Sequence, residues 1–397
     1  MRTVTSLTEH PHARHRLAAG AAFFVQGLLF ISLTTRLPQI QRRWDLDELA
    51  VSGLLLLVVL LAGAGSVLAE LVAARSSSAV VVRLGFVLAT VGFAAALLAP
   101  AFGVFVAGLA VYGLALGIVD ASSNMQAVTV EHLYGRPILP SFHGFWTAGG
   151  IVGTLLTLAT AGTELGVRLL PLLLFPVAVL AAPFVTKDRL PSPAAAAAVP
   201  WRRIVLLGLA MVLFYMVDTA ATTWGPVYLG GTLDAPERLT ALATLPYLVA
   251  TLIARGLGDG LVDRHGAVWM LRLSGVVASA ALAVIVFAPT WPIAVAGFTV
   301  LGGAVATIAP LSFSAAAAIA GGDDFASSQD RVDQVIARFN QFNYVGALLG
   351  AVLTGAVGSG NLRLGFAVPM VLILGIIPLA SQFAIVRRRV PAVAPSS

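Results

Sequence analysis

The chain has 397 residues, 58% of them hydrophobic and 11% charged, with a mean hydropathy of +0.94. Soluble domains are about a quarter charged, so this composition excludes a soluble globular protein and points to one built into a bilayer. The net charge of +6 comes from basic residues spread over the ends of apolar runs, which excludes a nucleic-acid-binding patch, and the absence of cysteine excludes disulfides and thiolate metal sites.

Apolar runs of roughly 20 residues, enough to cross a ~30 Å hydrocarbon layer as a helix, recur from Leu17 to Val386. Runs such as "GLLLLVVLLAGAGSVLAELVAA" (53 to 74) do not alternate as barrel strands would, so an all-α integral membrane fold is expected. The first run follows Arg2, Arg14 and Arg16 and imitates a signal peptide, but it is long enough to span and no clear small-residue cleavage site ends it. Reading runs against breakers gives twelve transmembrane helices: 17 to 36, 49 to 74, 79 to 99, 101 to 129, 141 to 162, 166 to 186, 203 to 229, 238 to 258, 268 to 288, 291 to 320, 335 to 358 and 362 to 386. The Pro- and Ala-rich stretch "TKDRLPSPAAAAAVPWRR" reads as a linker. It divides residues 1-186, an N-terminal six-helix bundle, from residues 203-397, a C-terminal six-helix bundle with a short tail, with 187-202 as a cytoplasmic linker. Most of the 24 Lys and Arg residues fall on the side of both termini, which the positive-inside rule makes cytoplasmic.

The chain also repeats itself. Glu70, Arg75 and Arg83 lie over Asp259, Arg264 and Arg272 at one offset of 189 residues, and "AGLAVYG" (107 to 113) lies over "AGFTVLG" (296 to 302) at the same offset. "TTRLP" (34 to 38) lies over "TTWGP" (222 to 226), and Phe142, Phe145, Gly149 and Gly153 lie over Phe339, Phe342, Gly346 and Gly350. Two pseudo-symmetric halves joined by a cytoplasmic linker suit a secondary transporter whose solute site lies between them near the midplane.

Ionisable residues inside a membrane are costly and mark functional sites by default. Asp120 in the fourth span is the foremost: Gly113, Gly117, Asp120 and Asn124 share one helix face. Its carboxylate is a candidate proton acceptor, with Asn124 and Gln126 as solute ligands; a structural pairing that holds the helices together is the alternative. Asp218 and Trp224 in the seventh span would line the cavity from the other half, unless Asp218 is a structural acid. His143 suits gating, packing or binding, and Trp146 suits stacking on a ring or an interfacial position. Asn340 and Asn343 in "RFNQFNYVG", and Gln26 in the first span, are amide ligands for solute or interhelical links. With no arginine placed among these residues, the set favours a neutral or cationic polar solute.

"GLGDGLVDRHGAVWMLR" (256 to 272) resembles the cytoplasmic loop motif of the major facilitator superfamily. The resemblance implies a cytoplasmic gate of Asp259, Asp263, Arg264 and Arg272, with Glu70 and Arg75 as the eroded first-half counterpart. "GIVDASSN" and "PSFHGFWTAGGIVG" (140 to 153) are similar to the fucose-permease-like branch and its bacterial relatives, although Thr34 stands where that branch has a span-1 acid before Pro38 and Gln39. Drug antiporters' span-4 Arg and span-5 Gly-Pro are absent. The expected protein is a monomeric transporter of the plasma (inner) membrane, moving a small polar solute by alternating access, coupled to protons through Asp120, with the lipid bilayer as surroundings. No cofactor, metal or nucleic acid is called for. Efflux of a drug or metabolite, or a non-transporting receptor, is the alternative. An enzyme is not expected, because the six His residues are scattered and no nucleotide motif is present.

Overall fold

The computed structural model describes residues 11–73, 75–134, 138–161, 166–186, 200–321 and 341–384, with Val335 and Phe339. The chain is all helical there. Helices α1 (Ala13–Thr34), α2 (Leu37–Trp44), α3 (Glu48–Ala73), α4 (Ser78–Leu98), α5 (Phe102–Tyr134) and α6 (Leu139–Ala159) are followed by a 3-10 turn and the short α7 (Leu174–Val179). Next come α8 (Trp201–Thr219), α9 (Gly225–Gly231), α10 (Leu245–His265), α11 (Ala267–Val286), α12 (Trp291–Val305) and α13 (Ile308–Gly321). The last described elements are α14 (Gln341–Leu348), α15 (Thr354–Val357), α16 (Leu362–Leu372) and α17 (Ile376–Leu379).

Among the described residues, nine helical stretches are long and apolar enough to cross a membrane, and Leu169–Val179 and Gln341–Val357 are shorter apolar helices. Large apolar side chains such as Leu60, Leu174, Ile253 and Val371 are exposed, as a lipid-facing surface requires. Sequence periodicity did not reveal α2 in the segment 37 to 44. Pro38 in its first turn suits a helix start, and Asp45, at φ 51°, ends it in the left-handed region. The expected tenth span is two helices, α12 and α13, meeting at Ala306 and Thr307.

Close backbone approach sets the packing. A Cβ on Gly117 of α5 would lie 1.8 Å from the Ala62 carbonyl oxygen of α3, and one on Gly149 of α6 would lie 1.9 Å from the Phe24 carbonyl oxygen of α1. These glycines therefore serve helix contact, the usual use of small residues in bilayers, and Gly113 likewise meets Val58. Several arginines satisfy carbonyls left over at helix ends, where a cation also suits the helix dipole. Arg43 donates to Ala99 O (2.6 Å), Arg83 to Leu180 O and Ala182 O (both 2.9 Å), Arg203 to Gln382 O (2.8 Å) and Ala384 O (2.7 Å), and Arg363 to Val286 O (2.7 Å).

α8 and α9 join through a π-turn at Ala220–Trp224, and α14 and α15 through another at Leu349–Leu353. The two π-turns pack together, and the indole N–H of Trp224 donates to Ala351 O at 2.8 Å. Elements before and after residues 187–199 meet at the end that carries α2 and α9. There Arg42 forms an ion pair with Glu237, and the Gly360 N–H donates to Glu48 Oε2 at 3.3 Å.

Candidate functional site

Asp120 sits half-buried in α5, a 33-residue helix. Gln26 Nε2, from α1, donates to its Oδ1 at 3.1 Å, and the Tyr344 hydroxyl, from α14, donates to its Oδ2 at 2.5 Å. Ser66 of α3 stands beside that tyrosine, carried there by the close α3–α5 contact at Gly117. The carboxylate thus takes neutral donors from both halves of the sequence. Such donors satisfy its lone pairs without cancelling its charge, so it keeps the capacity to bind a cation or a proton.

Asp218 of α8 accepts a hydrogen bond from the Tyr247 hydroxyl of α10 at 2.6 Å. Two turns further along α10, Arg255 Nη1 donates to Thr147 Oγ1 of α6 at 3.0 Å, and its Nε to Ala306 O at 3.4 Å. Arg255 lies within electrostatic reach of Asp218, His143, Tyr215 and Tyr247, and Tyr215 within reach of Asp120. The two acids, the arginine and the tyrosines therefore form one polar cluster inside an apolar molecule, built from α1, α5, α6, α8, α10 and α14.

Of the residues expected from sequence, Gln26, Asp120 and Asp218 belong to this cluster, and His143 borders it, stacked on Phe313 at 6.2 Å and edge-on to Phe23 at 5.5 Å. Asn124 turns back along its own helix, donating to Asp120 O at 2.9 Å. Trp146 packs near Phe30, with ring centroids 6.2 Å apart, and Asn343 is half-buried on α14. Gln126 and Trp224 sit elsewhere. Gln126 is fully buried, donating to Ser78 Oγ and Val185 O and accepting from Val185 N, so its amide ties the end of the sixth apolar segment to α4 and α5. Trp224 is fully buried and its N–H is occupied. Of the expected gate residues, Glu70, Arg75, Arg264 and Arg272 are exposed and form no ion pair with one another. Asp259 and Asp263 fall on α10 with their side chains outside the described set, and Asn340 lies outside the described residues.

Sequence reasoning missed Tyr247, Tyr344, Thr147 and Arg255. The expectation that no arginine joins the cluster is corrected: Arg255 falls within the expected eighth span, 238 to 258, and lies inside α10, which continues ten residues past it to His265. The available signal was helical phase, because Arg255 follows the buried Leu248 and Thr251 at i+7 and i+4, while Leu252, Ile253 and Leu257 are exposed.

No family model matches the chain. Among curated proteins it is 29% identical over 325 residues to the uncharacterized transporter y4wD of Sinorhizobium fredii, covering 75% of this chain and 81% of that one. It is 24% identical over 391 residues to an uncharacterized MFS-type transporter of Yersinia pestis, covering 95% and 97%. Among solved structures, the nucleoside transporter NupG superposes with a TM-score of 0.66 at 14% identity, covering 93% of this chain and 98% of that one. A variant of the E. coli fucose:proton symporter FucP superposes with a TM-score of 0.59 at 16% identity, again covering 93% and 98%. Over most of its length the chain is similar to transporters of the major facilitator type, and it shares the fold of solved transporters of that kind. It is a multi-pass membrane protein whose relatives are transporters rather than enzymes, and the expected likeness to the fucose-permease-like branch holds at the level of the fold.

Proposed function

We propose that the transporter moves a small polar solute across the plasma membrane by alternating access, in symport with protons carried by Asp120. In this reading, twelve helices form two six-helix bundles, residues 1-186 and 203-397, joined by a cytoplasmic linker at 187-202, with both termini cytoplasmic and the monomer as the working unit. Nine apolar spans, two shorter apolar helices and α6 support that count, and the basic residues at span ends support the orientation.

The observation that carries the reading is the bridging of Asp120 by Gln26 and Tyr344. A coupling acid must be read by both halves, so that its protonation and the solute alter which side is open; only such differential interaction shifts a conformational equilibrium. With Asp120 neutral, the tyrosine hydroxyl loses a charged acceptor and the tie between halves weakens. The ion pair Arg42–Glu237 and the Glu48–Gly360 contact tie the two halves at the end that carries α2 and α9.

The test uses liposomes that enclose a pH-sensitive dye and contain the full-length transporter, screened with sugars, nucleosides, amino acids and sugar acids. An active solute should acidify the lumen with wild type and fail to do so with Asp120→Asn. Acidification equal in wild type and Asp120→Asn would rule out coupling through this residue.

A further inference from the structure

The proposed solute site contains a cation that the acids beside it do not neutralise. Among the described residues Arg255 bonds a hydroxyl and a carbonyl, Thr147 Oγ1 and Ala306 O. Among the described residues no carboxylate pairs with it, Arg42–Glu237 being the only ion pair. Asp120 and Asp218, the acids of the cluster, are held by Gln26, Tyr344 and Tyr247 instead. A guanidinium in the interior of a membrane protein is costly unless an anion or a fixed set of acceptors meets it, and its five N–H donors in a planar fork match a carboxylate two bonds at a time. Thr147 is a weak, neutral partner for such a group, and it comes from the other half of the sequence.

We propose that Arg255 is the anion-recognition residue of the transporter, and that the solute carries a single carboxylate, which displaces Thr147 from the guanidinium. The inference rests on the reading of the Asp120 cluster as the solute site. One negative charge fits better than two, because Asp120 and Asp218 stand in the same cluster and repel a dianion such as a phosphate monoester. The remainder of the solute supplies hydroxyl or amino groups to Asp120, Asp218 and the tyrosines, all of which accept or exchange hydrogen bonds. Binding also adds a contact across the two halves at the level of Thr147, where closure of a cavity around the solute would need one.

The experiment measures the thermal unfolding of the purified full-length transporter in detergent against matched solutes: gluconate and glucuronate with glucose as the neutral partner, glucose 6-phosphate as the dianion, and small amino acids with their amides. A ligand of the folded state raises its apparent melting temperature by an amount that grows with the logarithm of its concentration above Kd. Carboxylate members should raise it and their neutral partners should not. Arg255→Gln should raise the concentration needed for a given rise by about tenfold or more, as loss of a hydrogen bond to a charged group requires. Arg255→Lys should restore part of the response, and Thr147→Val should retain it, since only the displaced partner is lost; these two variants also cover failure of Arg255→Gln to fold. The proposal is overturned if carboxylates stabilise no more than their neutral partners, if the phosphate ester is preferred, or if Arg255→Gln and wild type respond alike. Neutral solutes that bind wild type and lose affinity in Asp120→Asn would overturn the role of Arg255 alone. Binding indifferent to both substitutions would overturn the site itself.

Discussion

Tyr344→Phe removes one hydroxyl from the centre of the molecule and tests how the two halves are tied. Asp120 accepts two side-chain hydrogen bonds, the 2.5 Å bond from Tyr344 being shorter than the 3.1 Å bond from Gln26. A hydrogen bond to a charged group contributes about 1.5–3 kcal/mol, and each 1.4 kcal/mol is tenfold in an equilibrium. Tyr344 reaches Asp120 across 224 positions of sequence, so its bond stabilises this arrangement of the halves and is lost when they part. The phenylalanine variant should therefore shift the population away from this arrangement by roughly 10- to 100-fold. Gln26→Leu weakens the same carboxylate from within the first half and should shift it far less. Since the chain has no cysteine, spin labels on Ala50→Cys and Arg238→Cys, both exposed beside the end that carries α2 and α9, report the opening as a distance distribution. A distribution identical in wild type and Tyr344→Phe would refute the claim that this bond holds the halves together.

Glu237→Gln breaks the only ion pair among the described residues. Because both partners are exposed, its loss should cost at most about 1 kcal/mol, detectable as a longer Ala50–Arg238 label distance that high salt reproduces in the wild type. Gly149→Ala places a Cβ against the Phe24 carbonyl and should destabilise the folded protein by about 1–3 kcal/mol, read as a lower melting temperature in detergent. Arg83→Gln removes the donors to Leu180 O and Ala182 O and should lower stability by about 1–3 kcal/mol without altering proton coupling in liposomes; changed coupling would show that Arg83 belongs to the gate.

Sequence made legible what depends on local chemistry. Apolar length marked the spans, and the cost of a carboxylate in lipid singled out Asp120 and Asp218. What it left out depends on contacts between distant positions. Tyr344 is an ordinary tyrosine until α14 brings it to Asp120, and Gln126 looked like a cavity amide because nothing local shows that the backbone N–H and carbonyl of Val185 both meet it. Trp224 was misplaced for a related reason: the π-turn at Ala220–Trp224 rotates the helix, so straight-helix phase does not tell which way the indole faces. Arg255 was overlooked although the expected eighth span contains it, because nothing local shows that Thr147 and Ala306 meet its guanidinium. Helix α2 escaped notice because eight residues are too few for an apolar run to register.

The central claim, that solute and proton share the Asp120 cluster, is tested most directly by counterflow. Liposomes loaded with an unlabelled active solute take up its labelled form by exchange, which needs alternation of access but no net proton movement. Asp120→Asn should retain counterflow while losing its response to an imposed pH gradient. Counterflow that keeps the wild-type response to pH in that variant would contradict the coupling role, and an absence of counterflow in the wild type would contradict transport itself.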